Sequence, residues 1–311
     1  MCRAAKSGHL NVTLAILKAN PALELVNAIA GDGRTSLFYA ARAEHWNVTL
    51  ALLMAGADVG VQREGGFSVL HSAAGAATAQ DEVVTALLTA GADPNLRSGD
   101  GRAPLFMAAY SGHPGVIRAL VTGGADVHLA LPETEEASGG ETPMFFAAMK
   151  GHPEAVQALL DAGANPATLN KAQATPLHQT AAWPCDTGTA NDAHEGHIAV
   201  VTLLLSAGTE CNQQAGDEKW TALHVAAKNG NHLVGVELIM AGCDPGLLDS
   251  DGNTAIDLAE IEGFDGPYDF ATIVQAAIEG KFTGEMAASI GGAAAEDEDE
   301  IAKIVIEKDD L

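Results

Sequence analysis

The stretch TPMFFAAMKGHPEAVQALLDAGANP, Thr142–Pro166, decides how this chain folds, because the chain writes it again and again. APLFMAAYSGHPGVIRALVTGGADV runs from Ala103 to Val127, TSLFYAARAEHWNVTLALLMAGADV from Thr35 to Val59, and TALHVAAKNGNHLVGVELIMAGCDP from Thr221 to Pro245. SVLHSAA at Ser68, TPLHQTAA at Thr175 and GNTAIDLAE at Gly252 open further copies, while CRAAKSGHLNVTLAILKANP starts inside the phrase. Each copy reads as helix, tight turn, helix. The leading Thr or Ser can accept a hydrogen bond from the first turn. Pro fits just inside the helix, where its missing N–H costs nothing. The Ala-Ala pair lets two helices approach closely, and the Gly of SGH or KGH permits a positive φ in the turn. AVQALL carries the second helix, and the Gly of AGA ends it. One such unit cannot bury its own apolar face, so the units must stack.

These residues resemble the ankyrin repeat, whose TPLH-x-AA-x-x-GH phrase recurs here near the 33-residue period. The resemblance implies an all-α solenoid with short β-hairpin loops, in about eight repeats over residues 1–280, the first truncated and the last a cap. Residues 281–311 are expected to form an acidic flexible tail, since AASIGGAAAEDEDE breaks the pattern. Within the tail, IVI beside acids in IAKIVIEKDDL suggests a short strand able to add to a partner's sheet. Met1 stands where the phrase needs Leu, which leaves open whether the chain is a fragment of a longer protein.

The leucine pair of each second helix sets the register: Leu52, Leu87, Leu120, Leu159, Leu204 and Leu238, at intervals of 35, 33, 39, 45 and 34. The 45 contains AAWPCDTGTANDAHEGHIAVV, Ala181–Val201, where Cys185, Asp186, His194, Glu195 and His197 crowd together, with His178 and Cys211 nearby, in the manner of a zinc site. Register explains two of the supposed ligands. His178 is the histidine of TPLH and His197 that of GH, and both positions recur as His71, His224, His113 and His152. HEGH is not the HExxH signature, so an inserted loop of about a dozen residues is expected rather than a metal site. The 39 adds about six residues, so HLALPETEEASGGE, His128–Glu141, should enlarge one hairpin tip and make it acidic. DSDGNTAIDLAE, Asp249–Glu260, imitates a calcium loop but has Thr254 where glycine is required.

Composition sets outer limits. Hydrophobic residues make up 47% and aromatics 5%, which suits small side chains on closely packed helices. No apolar stretch is long enough to span a bilayer. The four cysteines, Cys2, Cys185, Cys211 and Cys243, form no CxxC pair and read as reduced thiols of a cytosolic or nuclear protein. The formal net charge is −25, of which residues 132–311 carry −24 with 7 basic and 31 acidic residues. Such a chain repels phosphate, which argues against nucleic-acid binding. No catalytic motif competes: GDGRTS at Gly31 lacks the later glycine and lysine of a phosphate loop.

A non-enzymatic, monomeric interaction module is therefore expected, needing no cofactor or metal and binding another protein rather than nucleic acid or membrane. The alternative is the targeting arm of a larger protein such as a kinase or ubiquitin ligase subunit. In the family's register, the residues before each Thr and after each Ala-Ala face the binding groove. These are Arg34, Arg42, Phe67, Arg102 and Tyr110 in the first half, and Glu141, Met149, Lys150, Trp220, Lys228 and Asn229 in the second. Trp183, at the start of the insertion, joins them. Trp, Tyr, Arg and Met at exposed sites are common interface anchors, and the acidic second half favours a basic segment of the partner.

Overall fold

Thr35 shows how each repeat begins. Its backbone is extended, and its Oγ1 accepts the N–H of Phe38 at 3.2 Å, which caps the helix that follows. Ser68 and Thr221 cap in the same way, and Pro104, Pro143 and Pro176 occupy the first helical turn elsewhere. The computed structural model describes residues 1–20, 22–133, 139–183, 192–262 and 270–281. Among them are seventeen helices and no strands.

The chain divides into two compact units, Met1–Pro132 with Gln157–Ala164, and Glu133–Val156 with Asn165–Leu311. In the first unit the helices alternate as α1 (Cys2–Lys6), α2 (Leu10–Ala19), α3 (Leu23–Val26), α4 (Ser36–Arg42), α5 (Trp46–Met54), α6 (Val69–Ala74), α7 (Asp81–Thr89), α8 (Pro104–Ser111) and α9 (Pro114–Thr122). α1, α4, α6 and α8 pack side by side as one layer, and α2, α5, α7 and α9 as the other. α10 (Pro143–Met149) and α11 (Pro153–Asp161) follow. The second unit continues with α12 (Pro176–Ala181), α13 (Asp192–Ser206), α14 (Ala222–Lys228), α15 (His232–Met240), α16 (Ala255–Glu262) and α17 (Phe270–Ile278). Its layers are α10, α12, α14 and α16 against α13, α15 and α17.

All six register leucines, Leu52 to Leu238, are completely buried. The Ala pairs at 40–41, 73–74, 108–109, 147–148 and 226–227 are buried as well, as close helix approach requires. The left-handed position between paired helices is glycine at Gly112, Gly151 and Gly230. In the second repeat it is Glu44, at φ 58°. There the carboxylate compensates by accepting the N–H groups of Ala77 (3.2 Å) and Thr78 (3.0 Å) and the Thr78 hydroxyl.

Three findings depart from the sequence reading. The interhelical loops keep a hairpin shape but build no ladder; among the described residues only Ala215 and Trp220 form a bridge. The insertion is not all loop, because α13 runs 15 residues where α5, α7, α9, α11 and α15 run 9. Asp192–Gly196 thus extends the helix toward its start, while residues 184–191, Cys185 among them, lie outside the described residues. Thirdly, Cys211 and Cys243 are joined as a disulfide, so the reading of every cysteine as a free thiol is corrected. Separation of 32 residues, close to one repeat, brings them face to face, and a search for CxxC overlooks that spacing. The enlarged acidic tip is described only in part: Glu135 and Glu136 fall outside the described residues, and so do residues 282–311 of the tail.

Candidate protein-binding face

The loop before each first helix has one recurrent closure. The N–H of Ala30 donates to the Arg34 carbonyl (2.8 Å), Arg63 to Phe67 (3.0 Å), Ser98 to Arg102 (2.8 Å), Asn170 to Ala174 (2.9 Å) and Asp249 to Asn253 (2.9 Å). The Ala215 N–H donates to Trp220 at 2.8 Å across a loop one residue longer. Arg34, Phe67, Arg102 and Trp220 therefore occupy one register position, with the backbone fixed and the side chain half-exposed.

Histidines lock that position. The Nδ1 of His71 accepts the Ser68 N–H at 3.2 Å, which leaves Nε2 carrying the proton and donating to the Arg102 carbonyl at 3.0 Å. His178 repeats the arrangement, accepting from Thr175 and reaching the carbonyls of Gln213 (3.1 Å) and Trp220 (3.2 Å). His224 does the same with Thr221 and Asn253. Burial pushes the pKa of all three imidazoles below the ordinary histidine value, against the raising effect of the carbonyls they meet. The GH histidines tie the other way. His45 bonds to the Lys6 carbonyl (3.2 Å), His113 to Ala76 (2.7 Å) and His197 to Met149 (3.1 Å). His178 and His197, the two apparent metal ligands, are thus both engaged with backbone carbonyls.

In the first unit the tips are basic and aromatic but locally paired. Arg34 meets Asp32 at 3.1 Å, and its guanidinium carbon lies 5.8 and 5.9 Å from the Phe38 and Tyr39 rings. The Tyr39 hydroxyl donates to Asp32 and, with smaller help from Arg34, holds that carboxyl below the usual range. The Arg63 guanidinium carbon lies 4.6 Å over the Phe67 ring, which also meets His71 edge-on. Arg102 pairs with Asp100 at 3.4 Å. Arg42 and Tyr110 are exposed near the ends of α4 and α8. Asp32, Tyr39, Arg63 and Asp100 were missed as site residues. The repeated tripeptide Asp-Gly-Arg at 32–34 and 100–102 was the available signal for the two aspartates.

In the second unit, Lys150 and Trp183 come together beside His197, whose Nε2 bonds to the Met149 carbonyl. The Lys150 ammonium lies 4.5 Å from the Trp183 ring centroid, and His197 stacks on the same ring at 5.8 Å. Asn231 Nδ2 donates to the Trp183 carbonyl at 3.3 Å. Trp183 is therefore held within its own unit at the edge of the insertion. The Asn170 amide donates to Glu141 at 3.0 Å, and Lys171 forms an ion pair with Glu133. Lys228 pairs with Glu262, and Asn229 turns back to the Val225 carbonyl at 2.8 Å. At the false calcium loop, Asp249 accepts the N–H groups of Asp251 and Asn253 at 2.9 Å, and Asp257 accepts from Thr254 at 2.8 Å. These carboxylates serve turn and cap.

Two family models match this pattern: one described as ankyrin repeats (3 copies), over residues 1–98, 47–130 and 70–170, and one described as ankyrin repeats (many copies), over 204–259. The chain belongs to the ankyrin-repeat family. Ankyrin repeats generally mediate protein–protein interaction. The ankyrin repeat domain of human ASB11 has the same fold, with a TM-score of 0.63 and 24% identity over 79% of this chain and 97% of that one. The NAD-capped RNA hydrolase NUDT12 of Homo sapiens is 35% identical over 72 residues, 23% of this chain and 16% of the hydrolase. The ARF GTPase-activating protein GIT1 of Homo sapiens is 40% identical over 68 residues, 22% of this chain and 9% of that protein. This chain thus spans a small part of the curated relatives it matches. Among the described residues no helix is long and apolar enough to cross a membrane.

Proposed function

We propose that this ankyrin-repeat chain is a monomeric, non-enzymatic adaptor or inhibitor that holds a partner protein on its hairpin tips and first helices. The observation carrying this reading is the shared register of Arg34, Phe67, Arg102 and Trp220, whose backbones are pinned while their side chains stay half-exposed. Side chains on a fixed backbone lose less entropy on binding. On the second unit the preferred partner is a Lys/Arg-rich segment. Residues 132–311 carry a net charge of −24, and Arg and aromatic contacts from the partner would find Trp220 and the Glu133 tip there. Opposite charge speeds association more than it slows dissociation.

Affinity capture with mass spectrometry identifies the partner, and association rates measured across salt concentrations test its charge. Binding should slow as salt rises. Replacing Glu133, Glu135 and Glu136 by Gln should lower the association rate and flatten the salt dependence. Trp220→Ala should weaken binding roughly tenfold or more, mainly through faster dissociation. An acidic partner, or an association rate indifferent to salt, would sink the reading.

A second reading has its own support. In both the hydrolase and the GTPase-activating protein the similar stretch is a small fraction of the whole. The same face could then recruit substrates for a larger protein, as a targeting arm of a kinase or ubiquitin ligase subunit does. Sequencing the transcript on both sides of the region encoding Met1–Leu311 separates the two.

A further inference from the structure

Cys211 and Cys243 lie in the loops that follow α13 and α15, with Cα atoms 5.5 Å apart. Cys211 is half-exposed and Cys243 only 4% exposed. Three hydrogen bonds already fasten the same two loops. The Asp244 N–H donates to Asn212 Oδ1 (2.9 Å), the Gln214 amide to the Leu248 carbonyl (2.9 Å) and the Ser250 N–H to the Glu218 carbonyl (2.8 Å). Elsewhere the equivalent joint closes without sulfur: Asp58 N–H donates to Asn27, and Asp126 N–H to Asn95, each at 2.8 Å. The repeat stack therefore does not depend on this disulfide to close its joint. The bond adds a removable fastening to a loop that carries Trp220 at its far end.

We propose that Cys211 and Cys243 form a reversible thiol–disulfide site, closed by a low-molecular-weight disulfide such as oxidised glutathione and opened by its thiol. The Cys211 thiolate, the more accessible of the two, attacks one sulfur of the small disulfide. One small thiolate leaves, and a mixed disulfide remains on Cys211. Cys243 then loses its proton and attacks the Cys211 sulfur, expelling the second small thiol. Overall the two protein thiols give up two electrons and two protons, and one small disulfide becomes two thiols. Closing tethers residues 211–220 to the following repeat; opening leaves the link to that repeat to the three hydrogen bonds. The clasp stands whether or not Trp220 anchors a partner.

The full chain is equilibrated in reduced and oxidised glutathione buffers, alkylated, and digested with trypsin and a Glu-specific protease, which separates Cys185 from Cys211. Oxidising buffer should yield a peptide linking Cys211 to Cys243, and thiol should reverse it in the native protein. The closed form should melt roughly 5 °C or more above the open one. Its amides in 211–220 should exchange hydrogen more slowly, and Cys211→Ser and Cys243→Ser should each abolish both differences. Three results would overturn the proposal: absence of the linked peptide, a bond that thiol leaves intact without unfolding, or identical exchange in the two forms. Should a serine variant fold poorly, the exchange comparison on the unmodified chain still decides.

Discussion

Histidine does two jobs in these repeats, and chain position tells them apart. His71, His178 and His224 each accept a cap N–H and donate to the carbonyl of the next hairpin, so each must be neutral to work. Burial lowers their folded pKa below the unfolded value near 6.5. The sign follows from linkage. Between the two pKa values the unfolded chain binds protons that the folded one refuses, so stability is full above about pH 6.5 and falls as pH drops below it. The thermal midpoint should therefore decline between about pH 7 and pH 5. Gln can fill the capping role without titrating. The triple variant His71→Gln, His178→Gln, His224→Gln should be less stable at neutral pH but lose less on acidification. Equal slopes for both proteins would refute the assignment. Lys150 and Trp183 teach the complementary lesson. Both are expected as partner anchors, and they lie against each other, the ammonium 4.5 Å from the ring centroid, a contact that a residue-by-residue reading had no means to see.

Among the elements, α13 departs most from the repeat pattern, and Gly196 is what lets it. A Cβ at Gly196 would lie 2.3 Å from the Gly151 carbonyl oxygen, a backbone atom that cannot swing aside. The extended start of α13 crosses the turn after α10 only because that position has no side chain. Gly196→Ala should destabilise the chain by about 2 kcal/mol through forced backbone shifts, read as a lower urea midpoint at unchanged slope. Replacing residues 184–191 by an equal length of Gly and Ser should change stability by less than about 0.5 kcal/mol. Both flanking helices keep their buried residues: Leu177 and Ala181 on α12, Val200, Val201 and Leu204 on α13. A large loss there would show that the insertion packs.

Across the whole molecule charge is distributed in a way no single repeat reveals. All seven arginines precede residue 119, and residues 132–311 hold lysine alone against 31 acids. Arg forms forked, stacked pairs that Lys cannot, and in the first unit Arg34, Arg63 and Arg102 use that capacity on local carboxylates or rings. The second unit has many acids and few cations to answer them. Like-charge repulsion should then oppose folding at low ionic strength. The urea midpoint should rise as salt goes from about 10 mM to about 150 mM, where the Debye length contracts from roughly 30 to 8 Å. A midpoint that falls with salt would mean that attractive pairs dominate instead.

The helix–turn–helix unit, its period, its six buried leucines and its capping residues were all present in the sequence. Each is set by chain geometry within one repeat, and repetition lets local spacing show through. The histidines of TPLH and GH were legible for the same reason. Tertiary structure alone decided that Lys150 meets Trp183. It alone showed that α13 begins early and that Cys211 meets Cys243. Contacts between repeats join residues 31 to 48 apart along the chain in the cases of Asn27, Arg102, Cys211 and Trp183. Stacking brings such residues together at offsets that differ from joint to joint. Periodicity predicts that repeats touch, and the packing of particular side chains determines which atoms do.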